Sequence, residues 1–281
     1  MLAESQGEWS VTALPSFTNR TFRLARGGEA FVLRLPGRGT ERYIDRAAEA
    51  ANSRAAASIG LAPEVVYAEP RHGLMLSRYV AGAEPLSPAL LTDPATLRAA
   101  IALLSRLHNS GLAFRGHMRL YPKLDEYLRL AAAPALQPLR REAERLRPLL
   151  EKGWGPPRPC HIDPAPHNFI VAPGGRYLVD WEYSAMCEPL WDLAGLSIEG
   201  DFDVAQDGAM LAAYFGNAEP VWASRMHLYK IMLRLLAAAW GTVQLADRNG
   251  PPEVAGLVER LTARVQADFG SADLSGHIEA A

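Results

Sequence analysis

The segment HIDPAPHN, residues 161–168, constrains the fold more than any other stretch of this sequence. Its prolines lack backbone N–H groups and clash with a preceding helical turn, which excludes a regular helix. The apolar run FIVA comes next, and a PGG turn joins it to the strand-like run RYLVD, which ends at Asp180. We therefore expect a rigid loop that presents Asp163 and Asn168 to one space, followed by two short strands.

Three oxygen-bearing side chains in this region suit a metal ion and a proton acceptor. Asn168 and Asp180, twelve residues apart, offer the hard oxygen ligands that Mg²⁺ prefers. Asp163 lies five residues before the amide and can accept a proton. The same aspartate-to-asparagine spacing occurs in the catalytic loop of protein kinases, where a base and a metal ligand occupy these positions. The pattern favours phosphoryl transfer.

A cation and a carboxylate upstream fit the same chemistry. Arg34 lies on a predicted strand and Glu49 in the helix that follows, where they can serve as a phosphate-binding cation and its ion-pair partner. The glycine-free loop SFTNRT, which contains Asn19, is the segment that can cover phosphates in this region. The sequence has no G-x-x-x-x-G-K-[ST] motif, and no G-x-G-x-x-G follows a predicted strand, so neither a Walker loop nor a dinucleotide fold is supported.

The first eighty residues have the pattern of a small sheet with one helix. Residues 20–35 alternate apolar and polar side chains on both sides of a Gly-Gly pair, which predicts a β-hairpin. Residues 40–59 are alanine-rich and predict a helix, with Thr40 as the candidate N-cap and Gly60 at its end. The runs EVVYAE and GLMLSRYV predict two further strands, so the sheet is mostly antiparallel.

Helical spacing predominates after a linker near residues 80–85. Apolar residues recur with a helical period around 97–108 and in later stretches, and helices are expected to the C-terminus beyond the two strands described above. We predict an α+β fold with a small antiparallel-sheet N-lobe, residues 1–80, and a larger, mostly helical C-lobe, residues 81–281.

Composition narrows the partners and the compartment. The formal net charge is −2, from 29 basic and 31 acidic residues, so no global basic field is available to hold a nucleic acid. Cys160 and Cys187 lack C-x-x-C spacing and indicate free, buried thiols in a reducing compartment. The N-terminus lacks a basic and apolar leader, and the longest weakly charged run contains Arg234 and Gln244. We expect a cytoplasmic protein that neither binds nucleic acid nor inserts into a membrane.

Several blocks of the sequence resemble, in order, the signature motifs of one family. They are FTNRTFRL, FVLRLPGRGTERYIDR with Glu49 after it, LSRLHNS, HIDPAPHNFIV and LVDWEYSAMCEPLWDLA. Over roughly residues 14–245 the chain is similar to the choline/ethanolamine kinases within the aminoglycoside phosphotransferase-like kinases. The LPGRGTERYIDR block is most like that of bacterial choline kinases. The resemblance implies a two-lobed protein-kinase-like fold that uses ATP and Mg²⁺.

The resemblance also assigns roles to individual residues. It implies that Asp163 is the catalytic base, that His161 braces the catalytic loop, and that Asn168 and Asp180 bind Mg²⁺. The implied residues on the nucleotide side are Arg34, Glu49 and Asn19. Arg34 stands where most kinases have lysine; choline kinases often carry arginine there, and a guanidinium still offers phosphate a fork of donors.

A cationic acceptor requires aromatic faces and carboxylates, because a quaternary ammonium group donates no hydrogen bonds. The resemblance implies that Glu182 lies beside the metal or the cationic head. Trp222, Tyr229 and Trp240 recur at nearly helical spacing, but a helix of that length brings only one end to a small ligand. By resemblance to the family's C-terminal tryptophan we expect Trp240 to contact the acceptor, with Trp191 as the second candidate. The expected acceptor is choline, or ethanolamine.

Other interpretations stay open at the level of sequence. A kinase of the same fold could act on thiamine, an aminoglycoside or a sugar, and a catalytically silent relative could bind a cationic metabolite. His161, Asp163 and His167 could instead bind a transition metal in a hydrolase, although the remaining histidines form no cluster in sequence. Taken singly, Arg34 and Glu49 also fit ordinary surface charges, and aromatic residues at helical spacing more often belong to a core.

Overall fold

A five-stranded antiparallel sheet forms the N-terminal part of the structure, a computed structural model that describes residues 8–153, 155–217, 219–248 and 252–281. The strands are β1 (Ser10–Leu14), β2 (Arg20–Arg26), β3 (Glu29–Leu35), β4 (Val65–Glu69) and β5 (Leu74–Arg78). They lie in the order β1-β2-β3-β5-β4. The expectation about an N-terminal leader rests partly on residues 1–7, which lie outside the described residues.

The hairpin predicted over residues 20–35 is confirmed as β2 and β3. Gly27 and Gly28 form its turn with φ angles of 57° and 85°, a left-handed conformation that glycine adopts without a steric penalty. The other two predicted strands correspond to β4 and β5. The sequence did not predict β1, because four of its five residues are exposed and no buried face marks it.

The one helix of this region, α1 (Arg46–Ser58), begins six residues later than the predicted start at residue 40. Asp45 is its N-cap, and the Asp45 carboxylate accepts hydrogen bonds from the backbone N–H groups of Ala47 and Ala48, both at 2.9 Å. The prediction of Thr40 as the N-cap is therefore wrong. Thr40 instead begins a short 3₁₀ turn, and its hydroxyl donates to the Gly37 carbonyl at 2.8 Å. This arrangement places the first turns of α1 against the cleft below β3.

Helices make up most of the C-terminal part. They are α2 (Pro94–His108), α3 (Leu120–Ala131), α4 (Gln137–Ala143), α5 (Arg147–Glu151), α6 (Leu190–Glu199), α7 (Val204–Phe215), α8 (Pro220–Asp247), α9 (Val254–Phe269) and α10 (Asp273–Ala280). The longest, α8, has 28 residues and packs against α3, α6, α9 and α10. A continuous apolar core built largely from these helices supports the cleft between the two parts.

Two small sheets line the cleft on the helical side. β7 (Arg158–Cys160) pairs with β10 (Ala185–Cys187), and β8 (Phe169–Ala172) pairs with β9 (Gly175–Leu178), which confirms the predicted strand pair after the HIDPAPHN segment. The segment predicted as a linker contributes a short strand, β6 (Glu84–Pro85), to the edge of β8. The connection between the two lobes is therefore partly tied to the C-lobe by backbone hydrogen bonds.

Cys160 and Cys187 are free thiols with exposures of 0% and 6%, as the sequence predicted. Within the described ranges, no helix is both long enough and apolar enough to cross a lipid bilayer.

The C-terminal helix α10 is held against α8 through two histidine rings. His227 on α8 and His277 on α10 stack with ring centroids 4.1 Å apart and planes 20° from parallel. His277 Nδ1 lies 3.2 Å from the Ser224 hydroxyl oxygen on α8. Burial and the neighbouring His277 lower the pKa of His227 to about 4. The packing of α10 on α8 therefore favours a neutral His227.

Acidification is expected to destabilise the protein through His227. In an unfolded chain histidine titrates near pH ~6.5, whereas the pKa of His227 in the folded protein is about 4. Between these values the unfolded chain binds a proton that the folded chain does not, so the free energy of unfolding falls as the pH falls. Because the ring is partly exposed, we expect His227→Phe to remove about 1 kcal/mol of the pH-dependent loss. Urea titrations at neutral and mildly acidic pH measure this difference.

His117→Gln is the control, because it replaces an exposed histidine in the loop between α2 and α3. It should keep the pH dependence of wild type. An unchanged pH dependence in His227→Phe would contradict the role given to the stacked pair.

Candidate active site

One buried carboxylate fixes the HIDPAPHN loop, residues 161–168, to the helical core. Asp192 on α6 accepts hydrogen bonds from the backbone N–H groups of His161 at 2.7 Å and Ile162 at 2.8 Å. His108, at the end of α2, donates from Nε2 to the same carboxylate at 3.0 Å. Ile162 has a φ of 74°, which a β-branched residue rarely adopts. These hydrogen bonds therefore hold a strained turn at the start of the loop.

His161 and Trp191 support the loop from the same side. The His161 ring is fully buried, lies 4.7 Å from the Trp181 ring and donates from Nε2 to the Val179 carbonyl at 2.9 Å. Burial lowers its pKa and favours the neutral imidazole. Trp191 is 3% exposed and donates from Nε1 to the Ile162 carbonyl at 3.0 Å. Both contacts position the loop backbone.

Asp163, Asn168 and Asp180 meet at the cleft below the sheet. Asn168 donates from Nδ2 to the Asp163 carbonyl at 2.9 Å, which leaves its Oδ1 without a hydrogen-bond partner among the described residues. The Asn168 carbonyl accepts from the backbone N–H of Val179 at 2.9 Å, so Asp180 follows directly at the side of the loop. Asp180 has a φ of 62° and a side chain that is 35% exposed. The predicted convergence of these three residues is observed.

Two arginines and three carboxylates form an ion-pair cluster above this point. Arg34 on β3 pairs with Glu49 on α1, with Asp180 at 3.1 Å and with Glu182 at 3.8 Å. Arg46, the first residue of α1, pairs with Glu49 at 2.9 Å and with Glu182 at 3.0 Å. The cluster thus joins the sheet, α1 and the segment after β9. Sequence reasoning paired Arg34 with Glu49 but missed Arg46, whose partner Glu182 lies 136 residues away in the chain.

The charges of the cluster suit a cation. Three carboxylates and two guanidinium groups leave one negative charge, and oxygens of Glu49, Asp180 and Glu182 lie within 4.8 Å of one another. Burial opposes the charge of Arg34, but Glu49, Asp180 and Glu182 raise its pKa, so it stays protonated. Burial and the Glu182 carboxylate raise the pKa of Asp180. Added positive charge beside Asp180 and the outward Asn168 Oδ1 would relieve this repulsion, so these two residues fit Mg²⁺.

Asn19 is placed in the loop between β1 and β2, where its side chain ties that loop to both lobes. Its Oδ1 accepts from the backbone N–H of Gly37 at 3.1 Å, and its Nδ2 donates to Glu182 Oε2 at 2.9 Å. The side chain is 6% exposed. Asn19 therefore shapes the loop that overhangs the cleft, and a contact with nucleotide stays a prediction.

A further carboxylate, which sequence reasoning missed, is that of Glu199, whose charge acts on Asp163. Glu199 is exposed at the end of α6, and Gly195, one turn earlier, lets this helix approach Pro164 of the loop. Burial raises the pKa of Asp163, and the charges of Asp180, Glu199 and Glu182 add to the effect. Glu199 has no ion-pair partner within the described part of the chain. The sequence could have indicated Glu199 through its position two helical turns after Asp192, on the same face of the helix.

Aromatic side chains form the wall beside this acidic floor. Trp240 on α8 donates from Nε1 to the Tyr183 hydroxyl at 3.1 Å. Phe17, in the loop between β1 and β2, places its ring 5.7 Å from the Trp240 ring. Tyr43 and Tyr127 meet edge to face with ring centroids 5.7 Å apart, and both lie near Tyr183. The wall combines one ring from the sheet lobe with rings from the helical lobe.

Comparison with known proteins identifies the family. Residues 10–228, more than half of the chain, match the family described as "Phosphotransferase enzyme family" (APH). This chain belongs to that phosphotransferase family. It is also 28% identical over 211 residues to Protein LicA of Haemophilus influenzae, covering 72% of this chain and 62% of the relative, so it spans less than two thirds of that protein. A LicA of a second Haemophilus influenzae strain is 28% identical over 205 residues, covering 70% of this chain and 76% of the relative.

Solved structures agree on the fold of this phosphotransferase. A choline/ethanolamine kinase family protein from Mesorhizobium loti superposes with a TM-score of 0.83 and 36% identity, covering 99% of this chain and 94% of that one. The choline kinase LicA from Streptococcus pneumoniae gives a TM-score of 0.82 at 24% identity, covering 93% of each chain. A LicA structure in complex with AMP gives 0.78 at 24% identity, covering 92% of each chain. The predicted choline/ethanolamine kinase family and two-lobed kinase-like fold are confirmed.

In this phosphotransferase, the aromatic residues and the histidine that were considered for the site differ in whether they reach the cleft. Of the aromatic stripe on α8, only Trp240 reaches the cleft: Trp222 stacks on Phe215 with ring centroids 4.2 Å apart, and Tyr229 donates to Glu188 at 2.7 Å. Trp191 lies below the loop, so its contacts are those of a support, and its contact with an acceptor stays a prediction. Among the residues described, two groups of side chains lie close enough to share a metal ion, and neither includes His167. The structure therefore gives no support to a transition-metal hydrolase.

Asp192→Asn is expected to disturb the loop while keeping the shape of the side chain. The asparagine side chain lacks the negative charge that now accepts three hydrogen bonds. Its NH₂ group would also face one of these N–H donors without an acceptor between them. We therefore expect a loss of about 3 kcal/mol in the free energy of unfolding. Phosphotransferase activity should fall at least tenfold, since Asp163 then loses its fixed position. Urea unfolding and initial rates measure the two effects. Asp201→Asn, an exposed change just after α6, is the control, and a variant Asp192→Asn with wild-type stability would contradict the anchoring role.

Proposed function

We propose that this phosphotransferase transfers the γ-phosphate of ATP to the hydroxyl group of choline, with ethanolamine as the second acceptor. The observation that carries the proposal is the position of Asp163. The charges of Asp180 and Glu199 act on its buried carboxylate, and Asn168 of the same loop donates to its carbonyl at 2.9 Å. We infer that a base, a phosphate site and a cation site share this cleft, with Trp240, which donates to Tyr183, as the aromatic face.

The nucleotide side of the proposal rests on the ion-pair cluster and on the structural neighbours. A LicA structure of the same fold holds AMP, which supports a nucleotide in this cleft. Arg34, held by Glu49, presents its guanidinium at Asp180 and would bind phosphate oxygens. Asn168 and Asp180 would hold Mg²⁺, which supplies positive charge to the phosphate oxygens when bound. Asn19 keeps the overhanging loop in place.

The chemical step proposed for Asp163 is proton acceptance. As the hydroxyl oxygen of the acceptor bonds to the γ-phosphorus and the bond to the ADP oxygen breaks, the hydroxyl proton passes to Asp163 Oδ. Burial and the surrounding carboxylates raise the pKa of Asp163, which makes the carboxylate a stronger base. The hydrogen bonds from His161 and Ile162 to Asp192 hold the loop while this proton moves.

The acceptor class follows from the wall of the cleft. A primary amine or quaternary ammonium is attracted by the charge of Glu199 and by the face of an aromatic ring. Glu182 was expected at the cationic head, but its Oε2 accepts from Asn19 and Arg46, and a direct contact with the acceptor stays a prediction. Aromatic faces favour the methylated head, so we place choline before ethanolamine.

Asp163→Asn tests the proposed base. The amide cannot accept the hydroxyl proton, so turnover of choline should fall by about 10³-fold or more. Nucleotide affinity, measured by isothermal titration calorimetry with ATP and Mg²⁺, should stay within about twofold of wild type, since the phosphate-binding residues are unchanged. Wild-type turnover in this variant would exclude Asp163 as the base.

Glu199→Gln tests the cation site. Loss of the charge should raise the KM for choline and ethanolamine about tenfold, with kcat nearly retained. The neutral isostere 3,3-dimethylbutan-1-ol should be phosphorylated with an unchanged KM, because it carries no charge. If Glu199→Gln altered the charged and neutral acceptors equally, the carboxylate would not recognise the cationic head.

A panel of acceptors tests the proposed substrate directly. Phosphate transfer from ATP to choline, ethanolamine, thiamine, an aminoglycoside and a simple sugar is measured at equal concentrations in a coupled assay. The largest kcat/KM is expected for choline. A larger value for thiamine, the aminoglycoside or the sugar would overturn the proposed acceptor while keeping the reaction class, and the absence of ATP turnover with every acceptor would favour a silent cation-binding relative.

A further inference from the structure

Phe17 is a half-exposed aromatic residue at the tip of the loop that overhangs the cleft. It lies between β1 and β2, and 51% of its surface is exposed. Across the cleft its ring meets Trp240 on α8, with ring centroids 5.7 Å apart and an angle of 36° between the planes. An exposed phenyl ring in contact with one ring of the opposite lobe leaves much of its face open to a ligand.

The contact between Phe17 and Trp240 is held in place by two adjacent residues of the C-lobe. Two positions after Phe17, Asn19 donates to Glu182 at 2.9 Å, which fixes the loop over the cleft. The next residue, Tyr183, accepts a hydrogen bond from Trp240 Nε1 at 3.1 Å. The adjacent residues Glu182 and Tyr183 thus position the rings of Phe17 and Trp240, respectively.

Contacts further along α8 keep the two lobes at this separation. Arg42, in the short turn before α1, pairs with Asp247 at the end of α8. Gln244, one turn after Trp240, donates to the Tyr43 hydroxyl at 2.9 Å. The N-lobe therefore rests on the half of α8 that carries Trp240, and the distance between Phe17 and Trp240 is determined by several independent contacts.

We propose that Phe17 is a specificity-determining residue of the acceptor site: its ring and the adjoining Trp240 ring, one from each lobe, form neighbouring faces of one wall against which the cationic head packs. The inference rests on the proposed function, which supplies the cationic acceptor. Two tilted aromatic faces attract a methylated ammonium more strongly than either face alone, while Glu199 supplies the charge. Phe17 belongs to the loop that is predicted to cover the nucleotide phosphates, so the acceptor site would be complete only when that loop is in place.

A consequence is that the sheet lobe takes part in acceptor recognition and in closing the site. Ordering of the loop by nucleotide positions Phe17, and occupation of the aromatic site by the acceptor holds the loop. Such coupling is reciprocal, so choline binds more tightly in the presence of ADP, and ADP more tightly in the presence of choline. Truncation of Phe17 should remove this coupling.

The test compares Phe17→Leu with Phe17→Trp in the full chain. Leucine keeps an apolar side chain but has no aromatic face, so the KM for choline should rise about tenfold while kcat changes less than about twofold. The KM for 3,3-dimethylbutan-1-ol and the affinity for ADP in the absence of choline should both stay at their wild-type values. Phe17→Trp retains an aromatic face and should restore choline recognition. Tyr67→Leu is the matched control, because Tyr67 is also half-exposed, at 52%, but lies on the edge strand β4.

Binding of choline, measured by calorimetry with and without ADP, separates this inference from the proposed function. If wild type phosphorylates choline and Phe17→Leu leaves its KM and its ADP-dependent affinity unchanged, the role of Phe17 is overturned and the proposed function stands. An equal loss for choline and its neutral isostere would also overturn it. If wild type binds choline but phosphorylates none, a weaker affinity in Phe17→Leu supports the role of Phe17 while the proposed function fails. If wild type neither binds nor phosphorylates choline, both fail.

Discussion

The buried carboxylate of Asp192 is the interaction on which the site depends. Its two oxygens accept the backbone N–H groups that open the HIDPAPHN loop, and its charge is shared with His108 at the end of α2. A charge without partners in this core would be costly, so the loop and the carboxylate stabilise each other. The left-handed turn at Ile162 persists because of these bonds. The turn at Ile162 therefore determines the positions of the loop residues that follow it.

The second level of organisation is electrostatic and crosses the cleft. Arg34 and Arg46 come from the sheet lobe, and Asp180 and Glu182 come from the helical lobe, so the ion-pair cluster gives the cleft its geometry before any ligand enters. The two guanidinium groups neutralise two of the three carboxylates, and the remaining negative charge lies near Asp180. The residues that join the lobes are therefore also those that a bound metal ion and phosphate would contact.

The sequence predicted the parts of this site that are local. Proline in the loop, the alternation around Gly27-Gly28 and the strand-like run before Asp180 are patterns of neighbouring residues, and they predicted the loop, the hairpin and the strand pair. The pairing of Arg34 with Glu49 came from their places on a strand and on the helix that follows it, as in the general arrangement of kinases. Thr40 was wrongly predicted as the N-cap because a threonine before an alanine-rich run meets the local rule, while Asp45 competes for the same helix five residues later.

Other residues could not be found in this way, since their importance comes from contacts distant in the chain. Arg46 is one charge among many on a helix until Glu182, 136 residues away, is placed beside it. Phe17 is an apolar residue in a polar loop until α8 brings Trp240 to it, and Glu199 is a surface glutamate until α6 is docked against Pro164. Local patterns specify elements, whereas packing specifies which elements meet.

Glu182 has a mechanical consequence. It accepts from Asn19 in the overhanging loop and from Arg46 on α1, so one C-lobe side chain holds two separate parts of the N-lobe. Rotation of the lobes apart must separate opposite charges as well as surfaces, and the work of opening the cleft is partly electrostatic. Because the side chains of Arg46 and Glu182 are only 7% and 4% exposed, dissolved salt screens this contact little until the lobes separate.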